Sequence, residues 1–165
     1  MRKFKLILAL FFNVIVMQSQ QYKVDTSYTI KSTYAKLIKK YPFITIPEIK
    51  ANPDVTETFD LVYNKKQDRT LHFDAFIHTK KKKNPAVILI HGGGWRSGNK
   101  SQMQFIGKEI AAKGYSCFAI EYRLSLEAKY PEGVIDVKNA IKFIKDNAAK
   151  FNVDPNKIAV LGCSS

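Results

Sequence analysis

The chain has 165 residues, 45% of them hydrophobic and 12% aromatic, enough apolar material for one globular core and too little for two ordinary domains. Its formal net charge of +13 does not point to nucleic acid, because the lysines are scattered and the one dense run, Lys80 to Lys83, falls between strand-like segments without interleaved aromatics. Two cysteines are too few for a disulfide framework, and three histidines without a thiol or carboxylate at ligand spacing give a metal site little to build on.

Arg2, Lys3 and Lys5 precede an apolar run from Leu6 to Met17 broken only by Asn13. That pattern predicts a secretory signal over residues 1–19, cleaved near Ser19, and a secreted or periplasmic protein. The run is shorter than the ~20 residues that span a bilayer, so no stable membrane insertion is expected after cleavage. Residues 20–57 read as an N-terminal extension, with a short helix around Tyr34 to Lys40 stopped by Pro42, and with Pro47 and Pro53 punctuating the approach to a domain over residues 58–165.

Within that domain Thr58 to Tyr63 reads as a strand. Thr70 to His78 alternates, with Leu71, Phe73, Ala75 and Ile77 on one face and His72, Asp74, Phe76 and His78 on the other. The pair forms a hairpin, and His72 and His78 are expected to face solvent or a neighbouring segment without a catalytic role. Ala86 to Ile90 is a continuous apolar run of the kind buried on both faces of a sheet. A helix over Gln102 to Lys113 is stopped by Gly114, and Tyr115 to Ile120 is another apolar strand. From Pro131 a long helix aligns Val134, Val137, Ala140, Ile141, Ile144 and Ala148, and Lys157 to Leu161 is a last short buried-type strand. Cys117 and Cys163 each lie in such apolar runs and are expected as buried free thiols. The order hairpin, strand, helix, strand, helix, strand predicts an α/β fold: a mostly parallel sheet with helices on both faces, preceded by an antiparallel hairpin. Ligands in such sheets bind at the carboxyl ends of the strands.

Two motifs occupy such ends. His91-Gly92-Gly93-Gly94-Trp95 follows the buried strand, and its three glycines carry no Cβ, so backbone N–H groups can converge on an anion. An oxyanion or a phosphate satisfies that description. Walker spacing fails, because Asn99 intervenes between Gly98 and Lys100, and the dinucleotide fingerprint fails at Ser97. Gly162-Cys163-Ser164-Ser165 follows the last strand and supplies four of the five positions of a Gly-x-Ser-x-Gly nucleophile elbow. Either motif alone is weak. A glycine loop after one buried strand and Gly-x-Ser after a later one is the order a hydrolase sheet requires.

With Tyr122-Arg123-Leu124, Tyr130-Pro131, Asp136 and Asp154-Pro155 added, these segments resemble the esterase and lipase branch of the α/β-hydrolase superfamily, both the hormone-sensitive-lipase-like and the bacterial feruloyl or acetylxylan esterase-like proteins. The likeness runs from about Phe59 to the end. It implies a carboxylic ester hydrolase needing no cofactor, working through an acyl-enzyme on a small-molecule or polysaccharide ester, with acetyl or feruloyl esters as the expected substrates. Carried across by position, Ser164 is the nucleophile, and the N–H groups of Gly93, Gly94 and Ser165 line the oxyanion hole. His91, Trp95, Arg123 and Asp136 become structural supports, with an Arg123–Asp136 ion pair tying a strand end to the following helix. In that family an acidic residue and then a histidine follow the serine. The sequence supplies neither, so the chain is read as an N-terminal portion whose fold lacks its C-terminal half, inactive alone. The alternative is a non-catalytic remnant or binding module on a hydrolase scaffold.

Overall fold

The computed structural model describes residues 25–66 and 69–164. The signal segment expected over 1–19 and the part expected of Ser165 lie outside them. In chain order the elements are α1 (Ile30–Leu37), β1 (Val55–Lys65), β2 (Thr70–His78), β3 (Asn84–Ile90), a 3-10 turn (Lys100–Met103), α2 (Gln104–Ala112), β4 (Ser116–Ile120), α3 (Glu132–Asp146) and β5 (Val153–Gly162).

The first helix starts four residues earlier than periodicity suggests. Thr29 and Ser32 exchange side-chain hydrogen bonds with each other's backbone N–H, satisfying donors that a helix start otherwise leaves orphaned. A similar exchange between Asn99 and Gln102 opens the segment expected as one helix, which begins as a 3-10 turn before continuing into α2.

The five strands form one sheet in the order β1-β2-β4-β3-β5. β4, β3 and β5 run parallel, as expected, while β1 pairs antiparallel with β2 and β2 antiparallel with β4. Among the described residues the sheet is therefore mixed, half its pairings parallel. Helices cover both faces. Ala86, Ile88, Ile90, Phe118 and Ile120 pack with Leu71 and Phe73 beneath the stripe of α3 that carries Ala140 and Ile144. Val87, Leu89, Cys117 and Ala119 pack with Phe76, Met103 and Ala111 beneath α2.

Of solvent and a neighbouring segment, the two expectations for the second face of β2, the structure shows mainly the neighbouring segment. Asp74 and Phe76 are fully buried and His78 nearly so, because α2 and its preceding turn cover that face. His72 stays half-buried, its Nδ1 3.4 Å from Glu121 Oε2. The cysteines also diverge. Cys117 lies fully buried in β4, and burial pushes its thiol up to about 12, whereas Cys163, past the end of β5, is exposed.

Candidate active site

β3 and β5 are in register, Ile90 opposite Gly162, so the chain leaves the sheet twice at neighbouring points. The Cys163 N–H donates to Ile90 O at 3.2 Å and carries the pairing one step beyond the strands. There the two motifs touch. A Cβ placed on Gly92 would sit 2.1 Å from the Cys163 carbonyl oxygen and 3.2 Å from the Ser164 Cβ, so only glycine allows the loop to lie this close to the serine.

Ser164 itself has φ +59°, a left-handed conformation that costs a non-glycine residue ~1–2 kcal/mol. Strain held at one exposed serine at a strand end matches the sharp strand-to-helix turn of a nucleophile elbow.

The glycine loop is turned so that its donors face outward. Gly93, Gly94 and Trp95 have φ of 128°, 59° and 61°. The Gly93 carbonyl accepts from the N–H groups of Arg96 and Ser97, both at 3.1 Å, and from the Ser97 hydroxyl at 3.3 Å. Because a peptide unit is planar and trans, the Gly94 N–H points the opposite way, and a Cβ built on Gly94 meets nothing within 4 Å. Among the described residues, the N–H groups of Gly93 and Gly94 have no hydrogen-bond partner. Unpaired backbone donors beside a strained serine suit a developing negative charge.

His91 holds this loop from beneath. It is 2% exposed, stacks on the Tyr122 ring at 4.5 Å, and its Nδ1–H donates to Gly92 O at 2.9 Å. Tyr122 in turn donates its hydroxyl to His91 O at 2.7 Å. Burial pulls the His91 imidazole below its ordinary 6.5. Trp95 lies 5.1 Å from Tyr122, ring centre to ring centre, and its carbonyl accepts from Ser125 N at 2.7 Å. Arg123 grips the fully buried Asp136 with two parallel bonds, Nε to Oδ2 at 2.7 Å and Nη2 to Oδ1 at 2.9 Å, and also pairs with Glu132. Hydrogen bonding to Asp136 raises the Arg123 guanidinium further above its already high value. This pair ties the end of β4 to the first turns of α3.

Ser164, Gly93, Gly94, His91 and Trp95 are thus gathered at one end of β3 and β5, with Arg123 and Asp136 supporting the neighbouring strand. The polar network of Asp74, Lys100, Gln104 and Asp60 was not foreseen, since nothing in a strand pattern says that a lysine 26 residues away reaches an alternating aspartate. Among the described residues no group of three or more His, Cys, Asp or Glu side chains is placed to hold a metal.

The BD-FAE family model matches residues 73–165. The chain is 38% identical over 82 residues to the esterase LipC of Mycobacterium tuberculosis, covering 49% of this chain and 20% of that protein. It is 30% identical over 146 residues to an arylesterase of Saccharolobus solfataricus, covering 87% of this chain and 47% of the relative. The structure is similar to that of a thermophilic esterase from Thermogutta terrifontis, with a TM-score of 0.59 and 28% identity over 67% of this chain and 40% of that one. The chain spans from about a fifth to about half the length of these curated relatives. The matched residues take in β3, β4 and β5 with both loops, and the chain belongs to the BD-FAE family, on a partial α/β-hydrolase fold.

Proposed function

We propose that the intact protein is an exported serine carboxylesterase that hydrolyses acetyl or feruloyl esters of polysaccharides. The observation that carries this reading is the close approach of Gly92, which leads into the loop whose Gly93 and Gly94 N–H groups are unpaired among the described residues, to Cys163 and the strained Ser164. Esterases among its relatives and structural neighbours support the reaction class.

In this mechanism Ser164 Oγ attacks the ester carbonyl carbon while a base takes its proton. The carbonyl oxygen becomes an oxyanion, held by the N–H groups of Gly93 and Gly94 together with that of Ser165. Collapse expels the alcohol, which receives the proton, and water then releases the acid from Ser164 by the same steps in reverse order. No metal or cofactor takes part.

The base is not one of the histidines described here. His91 has committed its Nδ1 proton to the loop and is buried. His72 lies beside Glu121 on β2, three strand spacings from β5, a separation of about 14 Å. His78 lies at the opposite end of β2. Residues 1–165 alone are accordingly proposed to be inactive, and the acid and histidine of the triad to come from other parts of the protein.

The test is turnover of 4-nitrophenyl acetate and of a feruloyl ester by the intact protein and its Ser164→Ala variant. The variant should lose about 10⁴-fold or more in kcat. Unchanged turnover would end the serine mechanism. No turnover by the intact parent protein, folded and free of inhibitor, would favour the binding-module alternative.

A further inference from the structure

The glycine loop is anchored at its entry by Tyr122, which stacks on His91 and bonds its carbonyl. Its exit runs through Asn99 directly into Lys100, whose side chain is 12% exposed. Lys100 Nζ lies 2.6 Å from Asp74 Oδ1 and 2.8 Å from Asp60 Oδ1. Asp74 is fully buried in the middle of β2, and its carboxylate also accepts from Gln104 Nε2 at 2.9 Å and from the Asp60 N–H at 3.0 Å. That last bond depends on a local break in β1: the pairing register shifts between Thr58 and Leu61, and Asp60 takes φ +55°. Burial lowers the Lys100 ammonium, but its two carboxylate partners outweigh this and leave it above its ordinary value.

This charge pair is not the sole attachment of α2 to the sheet. Phe76, Leu89, Met103 and Ala111 already pack that face, and Lys108 pairs with Glu57 at 2.6 Å farther along the same helix. A buried ion pair is a weak source of stability but a directional one, since each partner fixes where the other must lie. Its geometric consequence falls on the segment between the two anchors, where Gly93, Gly94 and Trp95 all occupy left-handed backbone.

We propose that Lys100 is a positioning residue for the oxyanion donors: through Asp74 it fixes the exit of the glycine loop against the β1–β2 hairpin and so aims the Gly93 and Gly94 N–H groups. The proposal rests on the hydrolase reading above for its catalytic consequence, but not for its structural one.

Trp95 is the sole tryptophan of the chain and sits inside the loop, so its fluorescence reports the loop directly. In Lys100→Met, acrylamide should quench Trp95 more strongly. Lys100→Arg, which keeps a cation opposite Asp74, should recover much of the parent behaviour. Because Lys100→Met leaves a buried carboxylate unpaired and risks unfolding, the deciding variant is Lys100→Met with Asp74→Leu, which removes both charges. It should unfold as cooperatively as the parent yet keep the exposed Trp95. In the intact protein its kcat should fall by about 10²-fold with KM little changed, the cost of a small misplacement of catalytic groups. Parent-like quenching and kcat in the folded double variant would overturn the proposal. Ester turnover that survives Ser164→Ala would instead overturn the hydrolase reading, and the Trp95 measurement would still judge the latch.

Discussion

β3 and β5 carry nearly the same message in sequence, Ala-Val-Ile-Leu-Ile and Ile-Ala-Val-Leu-Gly, and each launches one half of the candidate site. Their surroundings differ sharply. β3 lies between β4 and β5 with Ile88 and Leu89 fully buried, whereas β5 forms the edge of the described sheet with Val160 50% exposed. An apolar β-branched run records what a strand is suited to bury, while its coverage is set by neighbours that periodicity does not name. The same contrast extends to the loops. The one after β3 is tied at its entry by His91 and Tyr122 and at its exit by Lys100, and the one after β5 rests, among the described residues, on a single backbone bond to Ile90 and on the contact with Gly92.

The most direct attack on this comparison truncates equivalent side chains. Ile88→Ala should cost about 2–5 kcal/mol, the range for emptying a fully packed aliphatic site. In residues 1–165, Val160→Ala should cost less than about 1 kcal/mol, since half of that side chain meets water there. Urea unfolding of the two variants decides the matter. Equal losses would show that β5 is covered in solution as fully as β3.

The two loops meet at Gly92. Gly92→Ala puts a methyl group where the Cys163 carbonyl oxygen stands, and one loop must yield. With the glycine loop held at both ends, the Ser164 turn is the side that moves. Ester turnover should fall by about 10²-fold, while global stability falls less than in Ile88→Ala. Parent-like turnover would mean that the two motifs do not work as a unit.

Much of this was legible in the sequence, for identifiable reasons. β3, β4 and α3 were readable because their apolar spacing and their use agree. Glycine at position 92 answers a backbone need that the crowding there makes explicit, while Ser164 holds a left-handed backbone that its residue type does not predict. Asp74 was not readable: an aspartate alternating in a strand looks solvated until Lys100, Gln104 and the Asp60 N–H are brought to it from elsewhere in the chain. Cys163 failed similarly, since an apolar run says nothing about where the sheet's cover stops. The pairing partner of β2 was not named by the sequence, because β2 could pair with β4 only once the hairpin and the parallel unit shared one sheet.

The smallest expected effect is a pH dependence belonging to the β3 side alone. Burial holds the His91 imidazole below 6.5 in the folded protein, while in the unfolded chain it titrates near that value. Between the two values the unfolded chain binds more protons, so stability rises with pH across that window. The contribution of neutral His91 is complete above about pH 6.5 and is lost as the pH falls through the folded value, at no more than about 1.4 kcal/mol per pH unit. The carboxylates act lower. Ser27 hydrogen bonds, with help from Arg96, hold Asp25 down to about 2, and a Lys100 hydrogen bond lowers Asp60 below 3.8, so their losses begin only near and below the ordinary carboxylate range. The difference between the parent and a His91→Gln variant in urea unfolding between pH 7 and 5 isolates His91 from His72 and His78. The parent should lose more stability over that interval than the variant. A parent profile no steeper than the variant's would show that His91 accepts a proton in place, and that the stack on Tyr122 and the bond to Gly92 survive its charging.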